Sequence, residues 1–544
     1  MAGAAQSMIR TVTLFASAGV MLAVLALPNH PGQMNYNGLV YWPIELSVLL
    51  FAMLALGRTR GVASVLALVL VAVTLLKLAD LASFAAYNRA FNPVSDLFLV
   101  EAGVGLLSDS VGAASAYVVV ASCVVATGFL YMLLRGGLKA WERVALPGPA
   151  RVVALAAALA TGGWAVADTG HHLGYWTFEK SPPGSARTTR VAVARIGDVR
   201  ETVADLERFR QAAQVDPMRD IVGAFDRLEG RDILLIWIES YGRASIDNPE
   251  YAPTHLDTLR RAERQIAGAG LEMKSGWVTS PTAGGQSWLA HGALGSGLWT
   301  ADNARYRAMI ASGQKWLFHL AAEAGYRTAA VMPAITMAWP ESAAMGFEHV
   351  FEAKDIPYAG EPFNWVTMPD QFTLAAYDAL LPDDPRPDFI QVALISSHAP
   401  WTPVPEMLPW DEIGNGTEFN EMAARGPTPR DLWKDRDAVR DAYRRSVDYS
   451  LNAVFSHVAR LGEDAPLVIV AGDHQAAGLI AGSDNRDVPV HMIAPPGVLS
   501  LIDGWGWTGG MIPARELEAQ RMDGFRNAFI RAFSSVEQVA EVAP

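Results

Sequence analysis

Cysteine is almost absent from this sequence: the single one, Cys123, sits inside an apolar run. A disulfide framework is therefore excluded, and so is a metal site built on thiolates. Charge is also scarce. Charged residues make up 18% of the 544 positions and hydrophobic residues 51%, an imbalance that points to membrane segments rather than one soluble core. Cations are the scarcer sign, 43 Lys and Arg against 56 Asp and Glu, with a net charge of -13. Such a surface is a poor partner for nucleic acid, whose phosphates need Lys and Arg to displace their counterions. Internal repeats and low-complexity tracts are missing too.

What is present begins with five apolar runs, near residues 8–27, 39–56, 62–81, 111–134 and 151–167. Each approaches the ~20 residues a helix needs to cross the hydrocarbon core. The first has the alternative of a cleaved signal peptide, although no convincing small-residue cleavage site follows it. Arg10, Arg58 and Arg60, and the group Arg135, Lys139, Arg143 and Arg151 fall on one side under strict alternation. That side is assigned to the cytoplasm. An odd number of crossings then puts everything after Asp168 outside it. Lys77 and Asp80 fall near the outer end of the third run, where snorkelling or interfacial placement is expected.

Residues 171–230 turn polar. Tyr175, Trp176 and Phe178 suit an interfacial belt, residues 181–185 read as a linker, and residues 201–228 as a helix at the membrane surface. The expected division is 1–170 transmembrane, 171–230 interfacial helix and linker, and 231–544 catalytic. In the last part, buried-strand runs at 232–238, 329–332, 389–395, 467–471 and 488–493 alternate with helical stretches at 254–267, 315–324, 372–381 and 437–461. This pattern predicts an α/β sandwich with a mainly parallel sheet, whose ligands bind beyond the strand C-termini.

Polar residues gather at those ends. The first strand runs into Glu239, a carboxylate that is costly there unless paired, capping a helix or binding a metal. Another ends in Gly472-Asp473-His474, offering an oxygen and a nitrogen to a hard or borderline cation, with Gly472 permitting a sharp turn. A third ends in Ser396-Ser397-His398-Ala399-Pro400-Trp401, where His398 can bind an anion, protonate a leaving group or simply cap. Between them, Gly284-Gly285-Gln286-Ser287 leads into a short helical stretch. Exposed N–H groups there favour phosphate, and a nearby metal would activate the Ser287 hydroxyl. A plain N-cap serine is the alternative.

Together these residues resemble the alkaline phosphatase/sulfatase superfamily, within it the membrane-anchored lipoteichoic acid synthase and phosphoglycerol transferase branch. The resemblance covers residues 231–496 and rests on Trp237-Ile238-Glu239-Ser240-Tyr241, the Ser287 segment, Ser397-His398-Ala399-Pro400-Trp401, Ala471-Gly472-Asp473-His474 and Asp487-Val488-Pro489. It implies one divalent metal ion (Mn, Zn or Mg) held by Glu239, Asp473, His474 and Ser287, with Ser287 also the nucleophile. It implies a substrate pocket using His398, Trp339, Trp401 and, in place of an arginine, His291. The implied activity moves phosphoglycerol, or a similar phospho-alcohol, from a membrane phospholipid to an envelope glycan on the extracytoplasmic face of an inner membrane.

Three departures stand out. Ser287 replaces the usual threonine, with Thr282 as rival. Glu341 replaces an arginine of the synthases. Leu289 and His291 replace the proline and arginine of the sulfatase maturation motif. Hydrolysis without transfer, sulfatase activity, a serine hydrolase of the nucleophile-elbow type and a non-catalytic envelope scaffold are the competing readings.

Overall fold

The structure is a computed structural model, and it describes every residue except 1, 35–41, 88, 98, 101–102, 105–106, 109–111, 180–183, 338 and 536–544. The chain forms two compact units, Met1–Asp205 and Leu206–Pro544. Most of the expected linker, residues 181–183, lies outside the described residues.

Among the described residues of the first unit, four helices are long and apolar enough to cross a membrane: Met8–Ala26, Val62–Phe84, Ala114–Glu142 and Gly148–His172. The second predicted run forms a shorter helix, Ile44–Leu56. Pro43 precedes it and Gly57, at φ 63°, ends it, leaving 13 residues or about 20 Å. Lys77 and Asp80 do not snorkel. Both are buried and paired. The Lys77 ammonium donates to the Leu25 carbonyl (3.1 Å) and to Thr188 Oγ1 (2.8 Å). Asp80 accepts from Arg195 at 2.8 and 3.0 Å, from Asn29 at 3.1 Å and from the Phe91 N–H at 3.0 Å. Arg195 and Thr188 belong to a helix over Arg187–Ala212, earlier at both ends than the helix expected at 201–228.

The second unit is built on one nine-stranded sheet: β1 Ile233–Ile238, β2 Glu272–Thr279, β3 Arg327–Met332, β4 His349–Glu352, β5 Asp388–Ala393, β6 Leu467–Gly472, β7 Asp487–Ala494, β8 Thr508–Gly509 and β9 Gln520–Arg521. Their order is β4-β3-β5-β1-β6-β7-β2-β8, with β9 beside β2. The first five in that order are parallel, and β7 runs against both neighbours. Side chains alternate between two cores. Leu234, Ile236 and Ile238 face one, while Ile233, Leu235 and Trp237 face the other. Both faces are covered by helices, which is why the central strands read as unbroken apolar runs.

Candidate functional site: a carboxylate–imidazole–hydroxyl cluster

Strand register builds the site. β1 and β6 are neighbours with Ile238 opposite Gly472. The next residue on each strand, Glu239 and Asp473, therefore emerges side by side. Glycine is required at 472 for closeness rather than for a sharp turn: a Cβ there would lie 1.9 Å from the Tyr241 carbonyl oxygen. Among the described residues, Glu239, Asp473 and His474 are the one group of acidic, His or Cys side chains whose ligand atoms lie within 4.8 Å of one another. All three are buried.

Ser287 completes the cluster. Gly284 (φ 75°) and the left-handed Gln286 (φ 67°) turn the loop so that Ser287 opens the Ser287–Ser296 helix. Its hydroxyl donates to Glu239 Oε2 at 2.8 Å and lies 3.4 Å from His474 Nε2. Thr282 instead donates to the Gly285 carbonyl at 2.8 Å, within its own loop. His474 Nε2 lies 3.1 Å from Glu239 Oε1 and 3.7 Å from Asp473 Oδ2, and its Nδ1 faces the Gln475 carbonyl at 3.0 Å, which orients the ring.

Electrostatics fit a cation. Burial opposes the charge on Glu239, yet His474, and His398 farther out, hold its carboxyl well below the usual range. Burial, then repulsion from Glu239, pushes Asp473 up to about 8. Burial also opposes charge on His474, but Asp473 and Glu239 together lift it to about 9. Asp473 and His474 are thus both drawn towards their protonated forms in the bare cluster. Two buried oxygen donors, one imidazole and one hydroxyl suit a divalent ion that displaces them.

The remaining predicted residues separate. His398 is exposed at the end of β5, its Nδ1 against the Ala399 carbonyl. His291, one helical turn beyond Ser287, stacks on Trp237 with ring centroids 4.4 Å apart. Its Nε2 is buried with no hydrogen-bond partner among the described residues. Burial lowers its pKa to about 3, so the ring is neutral. Trp401 is buried, donating to the Ser397 carbonyl at 2.7 Å and stacking on Trp433. Trp339 is half-buried against Phe347, and Glu341 is exposed.

Several residues support the cluster, and Tyr443 and Asp370 among them lie outside every motif. Ser240 donates to Glu239 Oε1 at 3.0 Å, Ser397 to the Glu239 carbonyl at 2.6 Å and Tyr443 to the Ser240 carbonyl at 2.9 Å. Asp370, fully buried, accepts from the backbone N–H groups of Ile395 (2.9 Å) and Ser396 (2.8 Å) and from Ser450 Oγ (2.6 Å). It ties the end of β5 to the Arg436–Val458 helix.

Helices of membrane-spanning length thus precede an α/β sandwich that gathers candidate cation ligands at its strand ends. Residues 231–483 match the sulfatase family, so the second unit is sulfatase-like over that stretch. No curated protein sequence matches the chain. Similar solved structures include the lipoteichoic acid synthase LtaP from Listeria monocytogenes (14% identity, TM-score 0.30, 49% of this chain and 66% of that one). Another is the phosphoglycerol transferase GacH from Streptococcus pyogenes (13%, 0.37, 62% and 82%). A third is the lipooligosaccharide phosphoethanolamine transferase A from Neisseria meningitidis (15%, 0.46, 97% and 96%).

Proposed function

We propose that the protein is a phosphotransferase that moves phosphoglycerol, or a similar phospho-alcohol, from a membrane phospholipid to an envelope glycan. In this reading residues 1–170 anchor it, residues 171–230 connect, and residues 231–544 form the catalytic domain outside the cytoplasm. The observation that carries the reading is the Ser287 hydroxyl, 2.8 Å from Glu239 at the mouth of a buried cation-ligand cluster and at a helix N-terminus.

Glu239, Asp473, His474 and Ser287 would hold one divalent ion, Mn, Zn or Mg, which when bound supplies Lewis-acid stabilisation and lowers the pKa of the hydroxyl. Ser287 Oγ attacks the phosphorus in line. The Ser287 hydroxyl loses its proton to solvent, the Oγ–P bond forms, the P–O bond to diacylglycerol breaks, and the diacylglycerol oxygen takes up a proton, a role assigned to exposed His398. The helix N–H groups favour the phosphoryl oxygens, and neutral His291 adds a hydrogen-bonding ring nitrogen on the same helix face. Trp339 is assigned to the substrate pocket, while Trp401 supports the His398 loop from beneath. An acceptor hydroxyl then attacks the phosphoserine and releases Ser287.

The test is release of diacylglycerol from labelled phosphatidylglycerol by purified protein with Mn or Zn, with phosphatidylethanolamine in parallel. Full activity in Ser287→Ala would overturn the assignment. Label found only in a small soluble product would replace transfer with hydrolysis.

A further inference from the structure

Ser240 is not one of the four candidate ion ligands, yet it bonds to both carboxylates of the cluster. Its N–H donates to Asp473 Oδ1 at 2.8 Å and its hydroxyl to Glu239 Oε1 at 3.0 Å. Its carbonyl accepts from the Tyr443 phenol at 2.9 Å and from the Gly242 N–H at 3.1 Å. Every polar group of this buried residue is engaged.

An unusual backbone makes the double contact possible. Ser240 has φ 58°, in the left-handed region that non-glycine residues enter at a steric cost. Were β1 extended through position 240, the Ser240 side chain would leave the sheet on the face opposite Glu239. The left-handed turn instead folds the hydroxyl back onto the preceding carboxylate and aims the N–H across to the end of β6.

These bonds divide the carboxylate oxygens. Asp473 Oδ1 accepts two N–H groups, from Ser240 at 2.8 Å and from His474 at 2.6 Å, which occupies both of its lone pairs. Its Oδ2 is left facing His474 Nε2 at 3.7 Å. On Glu239, Ser240 holds Oε1 while Oε2 accepts from Ser287. A second oxygen from either carboxylate must therefore compete with a bond that Ser240 already makes. Cations differ in how much this matters. Mg is bound through single carboxylate oxygens and Zn by few ligands, whereas Ca gathers about six to eight oxygens and often takes both from one carboxylate.

We propose that Ser240 is a positioning residue that sets which cation the cluster accepts: by occupying one oxygen of each carboxylate it favours a small divalent ion, Mn, Zn or Mg, over Ca. The inference rests on the ion-holding part of the function proposed above and adds a specificity determinant to it.

The experiment titrates chelator-treated, full-length protein in detergent with Mn alone and with Ca alone, read by calorimetry, in wild type, Ser240→Ala and Ser240→Gly. Both variants keep the N–H and lose the hydroxyl. Glycine adopts φ 58° without strain, so Ser240→Gly decides the matter where thermal unfolding shows the alanine variant to be misfolded. The expected result is a wild-type preference for Mn over Ca of about 100-fold or more, falling by about tenfold in the variants through a gain in Ca affinity. A serine with a merely structural role would weaken both ions in parallel. Such a parallel loss, a ratio unchanged in Ser240→Gly, or a wild type without a preference for Mn overturns the proposal. The titrations need no turnover. Diacylglycerol release with an unchanged ratio sinks the role of Ser240 alone, and the expected change in ratio without release sinks the transferase reading alone.

Discussion

Ser287 and its three neighbours divide the work unequally. In the proposed reading Glu239, Asp473 and His474 would retain an ion without the serine, because they supply the buried charge and the imidazole. Ser287→Ala is therefore expected to keep its metal, measured by elemental analysis, while phospholipid cleavage falls by about 10³-fold or more. Protons compete with the metal at the same atoms. With Asp473 at about 8 and His474 at about 9, both must lose a proton on binding, so affinity rises as pH increases towards 9. Calorimetry in buffers of different ionisation enthalpy should show net proton release near neutral pH, and its absence would contradict this protonation scheme. Gly472→Ala meets a backbone oxygen that a rotamer change cannot move aside, so a loss of about 1–3 kcal/mol in chemical denaturation is expected.

Among the elements, the segment after β5 shows what a buried carboxylate does without touching substrate. Asp370→Ala would strand the Ile395 and Ser396 N–H groups and free Ser450, loosening the turn that leads to His398. The expected cost is about 2–3 kcal/mol, with Asp370→Asn milder, as read by thermal unfolding of the purified protein. This contrast explains what sequence reading could reach. β1, β5, β6 and β7 are legible as apolar runs because both faces are buried, and the first three of them end in chemistry. β2 is not, because Lys274 and Ser275 interrupt its pattern. Ser275 nevertheless lies buried, its hydroxyl against His491 Nδ1 at 2.7 Å. Glu239, Ser287, Asp473 and His474 announce themselves at strand and helix ends. Asp370 and Gln475 act through backbone groups of distant segments, and no local spacing betrays such partners.

For the whole molecule, the two units make different claims on the chain. The first depends on buried ion pairing. Arg195→Ala removes the cation that pairs with buried Asp80 and should cost about 3–5 kcal/mol, seen as a lower unfolding temperature in detergent. Adding Asp80→Asn should recover part of it. The second unit contains no cysteine, which makes its side of the membrane directly testable. In a Cys123→Ser background, Asp411→Cys should react with an impermeant maleimide in intact cells. Labelling only after lysis would reverse the orientation inferred from the arginine-rich loops.

The pairing of Ile238 with Gly472 has a consequence for when the protein can acquire its ion. The Ser240 N–H and the Asp473 carboxylate it binds are separated by 233 positions in the chain, and only the finished β1–β6 pairing brings their neighbourhood together. A nascent or half-folded chain has no chelating pocket to fill, and a slip of one residue would turn Glu239 to the opposite face. An ion held in this cluster, as proposed above, would therefore be taken up late, after the sheet has closed in register.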